Sequence, residues 1–178
     1  MSDSKRCGTI ALVGAPNAGK STLLNLLVGT KLSIVTPKVQ TTRSRVLGIA
    51  LRGNAQLIFI DTPGIFAPKR RLDRAMVAAA WAGAADADIA VVLVDAARGF
   101  DDDTRAILER LKSTKRRQVL ALNKIDLVRH EELLPLADTL GKAGDFERIF
   151  MISSTSGDGT NDLADFLSKA VQIGRAHV

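Results

Sequence analysis

Little in this chain invites disulfide, metal-cluster or membrane chemistry. Among its 178 residues there is one cysteine, Cys7, which can form no internal disulfide and has no metal-ligand company. It reads as a small strand residue. The two histidines, His130 and His177, stand apart from each other and from every motif described below, so neither is a candidate ligand or base. Tyrosine is missing altogether, and the few other aromatics are not interleaved with basic residues as a base-stacking platform would require. No apolar run reaches the roughly 18 residues of a membrane span. Met1–Cys7 lacks the apolar stretch of a signal peptide, which makes cytoplasm the expected location. There are no internal repeats and no low-complexity linker, and the length suits one domain with a full core.

What the chain does have is positive charge, a net +6. Part of it lies in short clusters, Lys69-Arg70-Arg71 with Arg74, and Lys115-Arg116-Arg117. These are equally compatible with solvated basic faces and with an RNA-facing surface. The chain also alternates short apolar runs with helical patterns, as a βαβ protein does. Strands are expected at Thr9–Val13, Val46–Leu51, Gln56–Ile60, Ile89–Val94, Gln118–Leu122 and Ile149–Ile152. The second and third are joined by a tight turn at Arg52-Gly53-Asn54. Helices are expected at Lys20–Val28, Leu72–Ala85 (with Met76 and Trp81 as packing residues), Asp103–Leu111, Leu133–Leu140 and Asn161–Val171. Ile89–Val94 is continuously apolar, as in a central strand covered on both faces. The expected architecture is a three-layer α/β domain over residues 1–172. Its six-stranded sheet is mostly parallel with one antiparallel strand, and helices lie on both faces. Residues 173–178 depart from the helical pattern before them and match the in-frame translation of a common sequencing-adapter oligonucleotide. They are expected to be a non-native tail, with a natural C-terminal portion missing.

Gly14-Ala15-Pro16-Asn17-Ala18-Gly19-Lys20-Ser21 fits the phosphate-loop pattern of two glycines followed by Lys and Ser, with a strand running in and a helix leaving. A polyanion held away from water needs successive backbone N–H groups and a helix N-terminus. Lys20 would reach the β- and γ-phosphates, the Ser21 hydroxyl would ligate Mg²⁺, and Gly14, Pro16, Ala18, Gly19 and Thr22 would complete the cradle. A chance match in a chain of this length arises about 1% of the time, so the loop alone does not exclude a glycine-rich turn without a ligand. Asp61-Thr62-Pro63-Gly64 follows an apolar strand; Asp61 would hold Mg²⁺, and the Gly64 N–H would approach the γ-phosphate.

Asn123-Lys124-Ile125-Asp126 ends another strand. The Asp126 carboxylate can accept hydrogen bonds from both N1–H and the exocyclic amine of guanine, a pattern adenine lacks. The cost of leaving it unpaired supports discrimination of about 10⁴ or more. Asn123 would tie this loop to the phosphate loop and reach the base, and the stem of Lys124 would lie along base and ribose. Ser153-Ser154-Thr155 would close the base site, with a backbone N–H meeting guanine O6. The usual form has Ser then Ala, so Ser154 departs by one hydroxyl. In Gln40-Thr41-Thr42-Arg43, Thr42 is favoured over Thr41 as the residue that ligates Mg²⁺ and senses the γ-phosphate; Thr36-Pro37-Lys38 reads as loop. The phosphate loop, Asp61–Gly64 and Asn123–Asp126 follow in order, each at the C-terminal end of a strand, where α/β folds bind ligands; Gln40–Arg43 lies in the irregular stretch between the first helix and the second strand. GTP and GDP are the expected ligands.

Together these residues resemble the Era family of translation-factor-like GTPases, from Gly8 to about Val171. The resemblance is carried by Gly14–Asn25 and by Gln40-Thr41-Thr42-Arg43-Ser44-Arg45-Val46-Leu47-Gly48-Ile49. Related GTPases usually have Thr-Arg-Asp where this chain has Ser44, and the family often has arginine at Ala15. The resemblance implies a GTPase acting in assembly of the small ribosomal subunit. It also implies a C-terminal KH domain that binds the 3′ end of the subunit's RNA; no KH signature occurs in these residues. It further implies a monomer, with peripheral association of the parent protein at the inner membrane.

In Ras-like enzymes a glutamine follows Asp-x-x-Gly and orients water; here that position is Ile65, which cannot. One reading is a slow switch awaiting a partner. Another starts from Asn17, since in similar GTPases an asparagine there helps bind K⁺, which stabilises charge between the phosphates. The catalytic candidates are accordingly Lys20, Thr42, Gly64 and Asn17. An ATP-using kinase-like enzyme is disfavoured by Asn123–Asp126. A module that holds GTP with negligible turnover is the remaining alternative.

Overall fold

The computed structural model describes residues 4–29, 46–61, 87–112 and 116–171, the side chain of Asp61 excepted. The helix expected over 72–85 lies outside these residues. So do Thr36–Arg43 with Thr42, Gly64 and Ile65, the basic residues at 69–74, Lys115, and the tail 173–178.

Six strands form one sheet: β1 (Arg6–Gly14), β2 (Val46–Arg52), β3 (Ala55–Asp61), β4 (Ile89–Asp95), β5 (Arg117–Asn123) and β6 (Ile149–Met151). Their spatial order is β2-β3-β1-β4-β5-β6. Every pairing is parallel except β2 with β3, the hairpin closed by Gly53 and Asn54. The described helices are α1 (Lys20–Val28), α2 (Asp102–Leu111), α3 (His130–Ala143) and α4 (Thr160–Ala170).

Side-chain alternation along the buried strands divides the core into two layers. Ala11, Val13, Val92, Val94, Leu120 and Leu122 face Ile107, Leu108 and Leu111 of α2 and Ala137 and Leu140 of α3. Their neighbours Ile10, Leu12, Val91, Leu93, Val119 and Ala121 face Leu23 of α1 and Leu163 and Leu167 of α4. A strand buried on both sides has no polar face to show, which is why β4 reads as an unbroken apolar run. The expected three-layer mixed sheet is present.

Two elements, β1 and α3, begin three residues earlier than their sequence patterns suggest. β1 starts at Arg6, whose N–H bonds Asn54 O at 2.9 Å. Its third residue is Gly8, where a Cβ would lie 2.8 Å from Val171 Cβ. Close packing there demands glycine, and the apolar pattern is silent. α3 begins at His130 because its first turn is polar, with Glu131 and Glu132 at the positive end of the helix dipole. Pro135 lies within it, so one intrahelical donor is missing near the start. α2 is capped by Asp101, whose carboxylate accepts the Thr104 N–H at 2.9 Å.

Arg117 at the head of β5 fastens α4 and the connection before β6 to the sheet. It makes a forked pair with Glu147, at 2.7 and 2.9 Å, and donates to the α4 carbonyl Ala170 O at 2.8 Å. The hydrogen bond from Arg117 holds the Glu147 carboxyl below its usual range, and the same bond raises Arg117. Among the described residues no helix is long and apolar enough to cross a membrane.

Candidate functional site

Parallel register brings the functional segments to one edge of the sheet. Leu12 pairs with Asp61, Gly14 with Leu93, and Asp95 with Asn123, so β3, β1, β4 and β5 all end along one edge of the sheet, no end more than two residues from its neighbour's. Among the described residues, the segments that leave β1, β4 and β5 meet one another.

The loop after β1 is shaped by its backbone. Gly14 passes so close to β4 that a Cβ would sit 2.7 Å from Leu93 O. Asn17 and Gly19 adopt left-handed conformations, φ 63° and 101°. Asparagine tolerates that region and glycine favours it. A Cβ on Gly19 would collide with the side-chain amide of Asn123. Gly19 is also the N-cap of α1 and offers no side chain to cap the helix, whose first turn holds no acidic residue. An N-terminus left uncapped in this way suits an anionic ligand. Lys20 Nζ lies 3.1 Å from Gly14 O, curled over the loop. Ser21 and Thr22 are exposed at the helix start, while Ala18 is buried and Pro16 half-buried.

Side chains dominate the opposite half of the site. Asn123, 1% exposed, donates from Nδ2 to Ala18 O at 2.8 Å. Its Oδ1 accepts from Ser154 N–H at 3.0 Å and Ser154 Oγ at 2.9 Å. One buried amide therefore joins the loops after β1, β5 and β6. Lys124, with φ 64°, donates from Nζ to Asn17 O at 2.7 Å and pairs with Asp95 Oδ2 at 2.8 Å. Asp95 is fixed in turn, because its other oxygen accepts the N–H groups of Ala97 and Arg98 at 2.9 and 3.3 Å. Asp126 is exposed in a short 3₁₀ turn, Ile125–Leu127, and its Oδ1 accepts from Ser153 Oγ at 2.9 Å. Thr155 Oγ1 lies 3.1 Å from that hydroxyl.

One of these participants, Asp95, carries no signal in the sequence, and neither do the roles of two hydroxyls. Asp95 ends an apolar strand, and nothing there announces that it grips Lys124. The sequence motif gives Ser153 only a part in the closing loop, yet its hydroxyl orients the Asp126 carboxylate. The motif gives Ser154 a role through its backbone, and its hydroxyl is engaged as well. Of the expected Mg²⁺ ligands, Ser21 lies at the loop, whereas the Asp61 side chain and Thr42 fall outside the described residues.

Residues 9–124 match the family described as 50S ribosome-binding GTPase. The GTPase Era of Mesorhizobium japonicum is 58% identical over 167 residues, which cover 94% of this chain and 54% of that protein. The GTPase Era of Brucella suis biovar 1 is 56% identical over 169 residues, covering 95% and 54%. The chain thus spans about half the length of the curated relatives it matches. Among solved structures, Era in complex with MgGDPNP and nucleotides 1506–1542 of 16S ribosomal RNA has a TM-score of 0.83 at 37% identity, covering 98% of this chain and 60% of that one. A point variant of Aquifex aeolicus Era bound to GDP.AlF4- has a TM-score of 0.80 at 38% identity, covering 96% and 58%. The chain belongs to the 50S ribosome-binding GTPase family, with a GTPase domain of the Era type.

Proposed function

We propose that this chain binds GTP with Mg²⁺ and hydrolyses it to GDP and phosphate, and that its whole protein acts on the small ribosomal subunit during assembly and RNA maturation. The observation that carries the first part is the Asn123 amide, which ties a phosphate-loop backbone to a loop whose carboxylate, Asp126, is oriented by Ser153. A guanine held at Asp126 would place its phosphates over the uncapped start of α1. Lys20 would exchange Gly14 O for phosphate oxygens and offset their charge. Ser21, with Asp61 and Thr42, would hold Mg²⁺, which neutralises charge on the phosphates when bound. The ribosomal part is supported by the Era relatives and by the solved Era complex with 16S ribosomal RNA.

The reading carries K⁺ stimulation with it. Lys124 Nζ pins the Asn17 carbonyl, while the Asn17 side chain is exposed at the loop. That leaves the side chain available to a cation beside the phosphates. The reading also includes a cytoplasmic monomer, with peripheral contact of the parent protein at the inner membrane.

Phosphate release from the purified chain, with GTP and ATP in competition, tests the core of the proposal. GTP should be consumed and excess ATP should not protect it. GTP binding without phosphate release would leave a binding module, and competition by ATP would overturn the base assignment. Turnover should be faster in KCl than in NaCl at equal ionic strength; equal rates would remove K⁺ from the mechanism.

A further inference from the structure

Ser154 donates twice to one acceptor. Its Oγ lies 2.9 Å from Asn123 Oδ1 and its backbone N lies 3.0 Å from the same atom. Both residues are buried, Asn123 at 1% exposure and Ser154 at 5%. An amide oxygen has two lone pairs and can accept both bonds. One of them is sufficient to fix the rotation of the amide, and with Oδ1 held Nδ2 is directed at Ala18 O, 2.8 Å away. The two donors are not equivalent. The N–H direction is set by the backbone of the loop that also presents Ser153 to Asp126, so it is the donor placed to serve a base held by Asp126. The hydroxyl can rotate and remain on Asn123.

We propose that the Ser154 hydroxyl is a positioning group that keeps Asn123 fixed while the Ser154 N–H is released to the 6-oxo group of a bound purine. With alanine here, both demands would fall on one N–H. Either the base would lose its donor, or the buried Asn123 oxygen would lose its partner and loosen Ala18 in the phosphate loop. The serine thereby sharpens selection for 6-oxo purine nucleotides. This inference rests on the guanine-nucleotide reading above and adds the group that makes its O6 contact compatible with an intact loop.

The test compares GDP with 6-thioguanosine diphosphate, which keeps both donors for Asp126 but replaces O6 by sulfur, a weak acceptor. Ser154→Ala should weaken GDP about five- to tenfold, the size of one neutral hydrogen bond. The thio analogue should weaken by less than about twofold, because it draws the N–H away only weakly. Ser154→Cys, similar in volume and a poor donor, should fall between serine and alanine for GDP. Equal losses for both nucleotides would make the hydroxyl merely structural and overturn the proposal, as would no loss for GDP. If the wild-type chain binds no GDP, the guanine reading fails and this inference with it. Normal GDP binding without the expected pattern removes the hydroxyl's role alone.

Discussion

The two halves of the site are built from different materials. The phosphate half, Gly14 to Ser21, is shaped by main-chain conformation, with two left-handed residues and an uncapped helix start. The base half is set by side chains, where Asn123, Lys124 and Asp126 each have a hydrogen-bond partner on another loop. Phosphate is the same in every nucleotide, and any set of well-aimed N–H groups suffices to hold it. A base must be told from its alternatives, which requires polar side chains whose directions are fixed before the ligand arrives.

This contrast can be broken at measurable points. Asp126→Asn should have the largest effect, weakening GTP by at least about 10²-fold and shifting preference toward XTP. Competition binding with both nucleotides reads it, and an unchanged profile would remove Asp126 from base recognition. Asn123→Ala should follow, because it strips partners from Ala18 and Ser154 together. A loss of roughly 2 kcal/mol in thermal stability, with weaker nucleotide binding, is the expected outcome. Asp95→Ala leaves Lys124 without its carboxylate and should speed GDP release about tenfold while GDP and IDP weaken equally. Stopped-flow release measures the first effect, and a changed GDP-to-IDP ratio would contradict the second.

The smallest effect lies outside both halves. Glu147 is held below its ordinary value of 4.5 by Arg117, so its contribution is present above that pH and lost as pH falls through the lowered value. Both side chains are more than a third exposed, so the contribution should be under about 1 kcal/mol. Glu147→Gln should flatten the acid limb of a stability-against-pH curve by that amount.

The same division explains what can be read from the sequence. Glycine spacing reports main-chain shape, and the span Gly14–Ser21 is legible for that reason. The full extent of α1 is legible through its helical pattern, and β4 through an apolar run too continuous for a half-exposed strand. Asn123 and Asp126 are legible through their spacing. The hydroxyls of Ser153 and Ser154 are not, since their partners lie 27 and 31 residues away and meet them only through parallel crossovers. Asp95 is hidden for the same reason, 29 residues from the lysine it holds. The start of α3 escapes the pattern because a polar first turn has no apolar stripe, and that of β1 because Gly8 packs by having no side chain.

The Asn123 amide has a consequence for motion. Three loops share one buried side chain, so none can open without breaking a bond that the other two depend on. In the ligand-free protein, the backbone amides after β1, β5 and β6 should then exchange with solvent deuterium as a single cooperative unit, governed by one opening free energy.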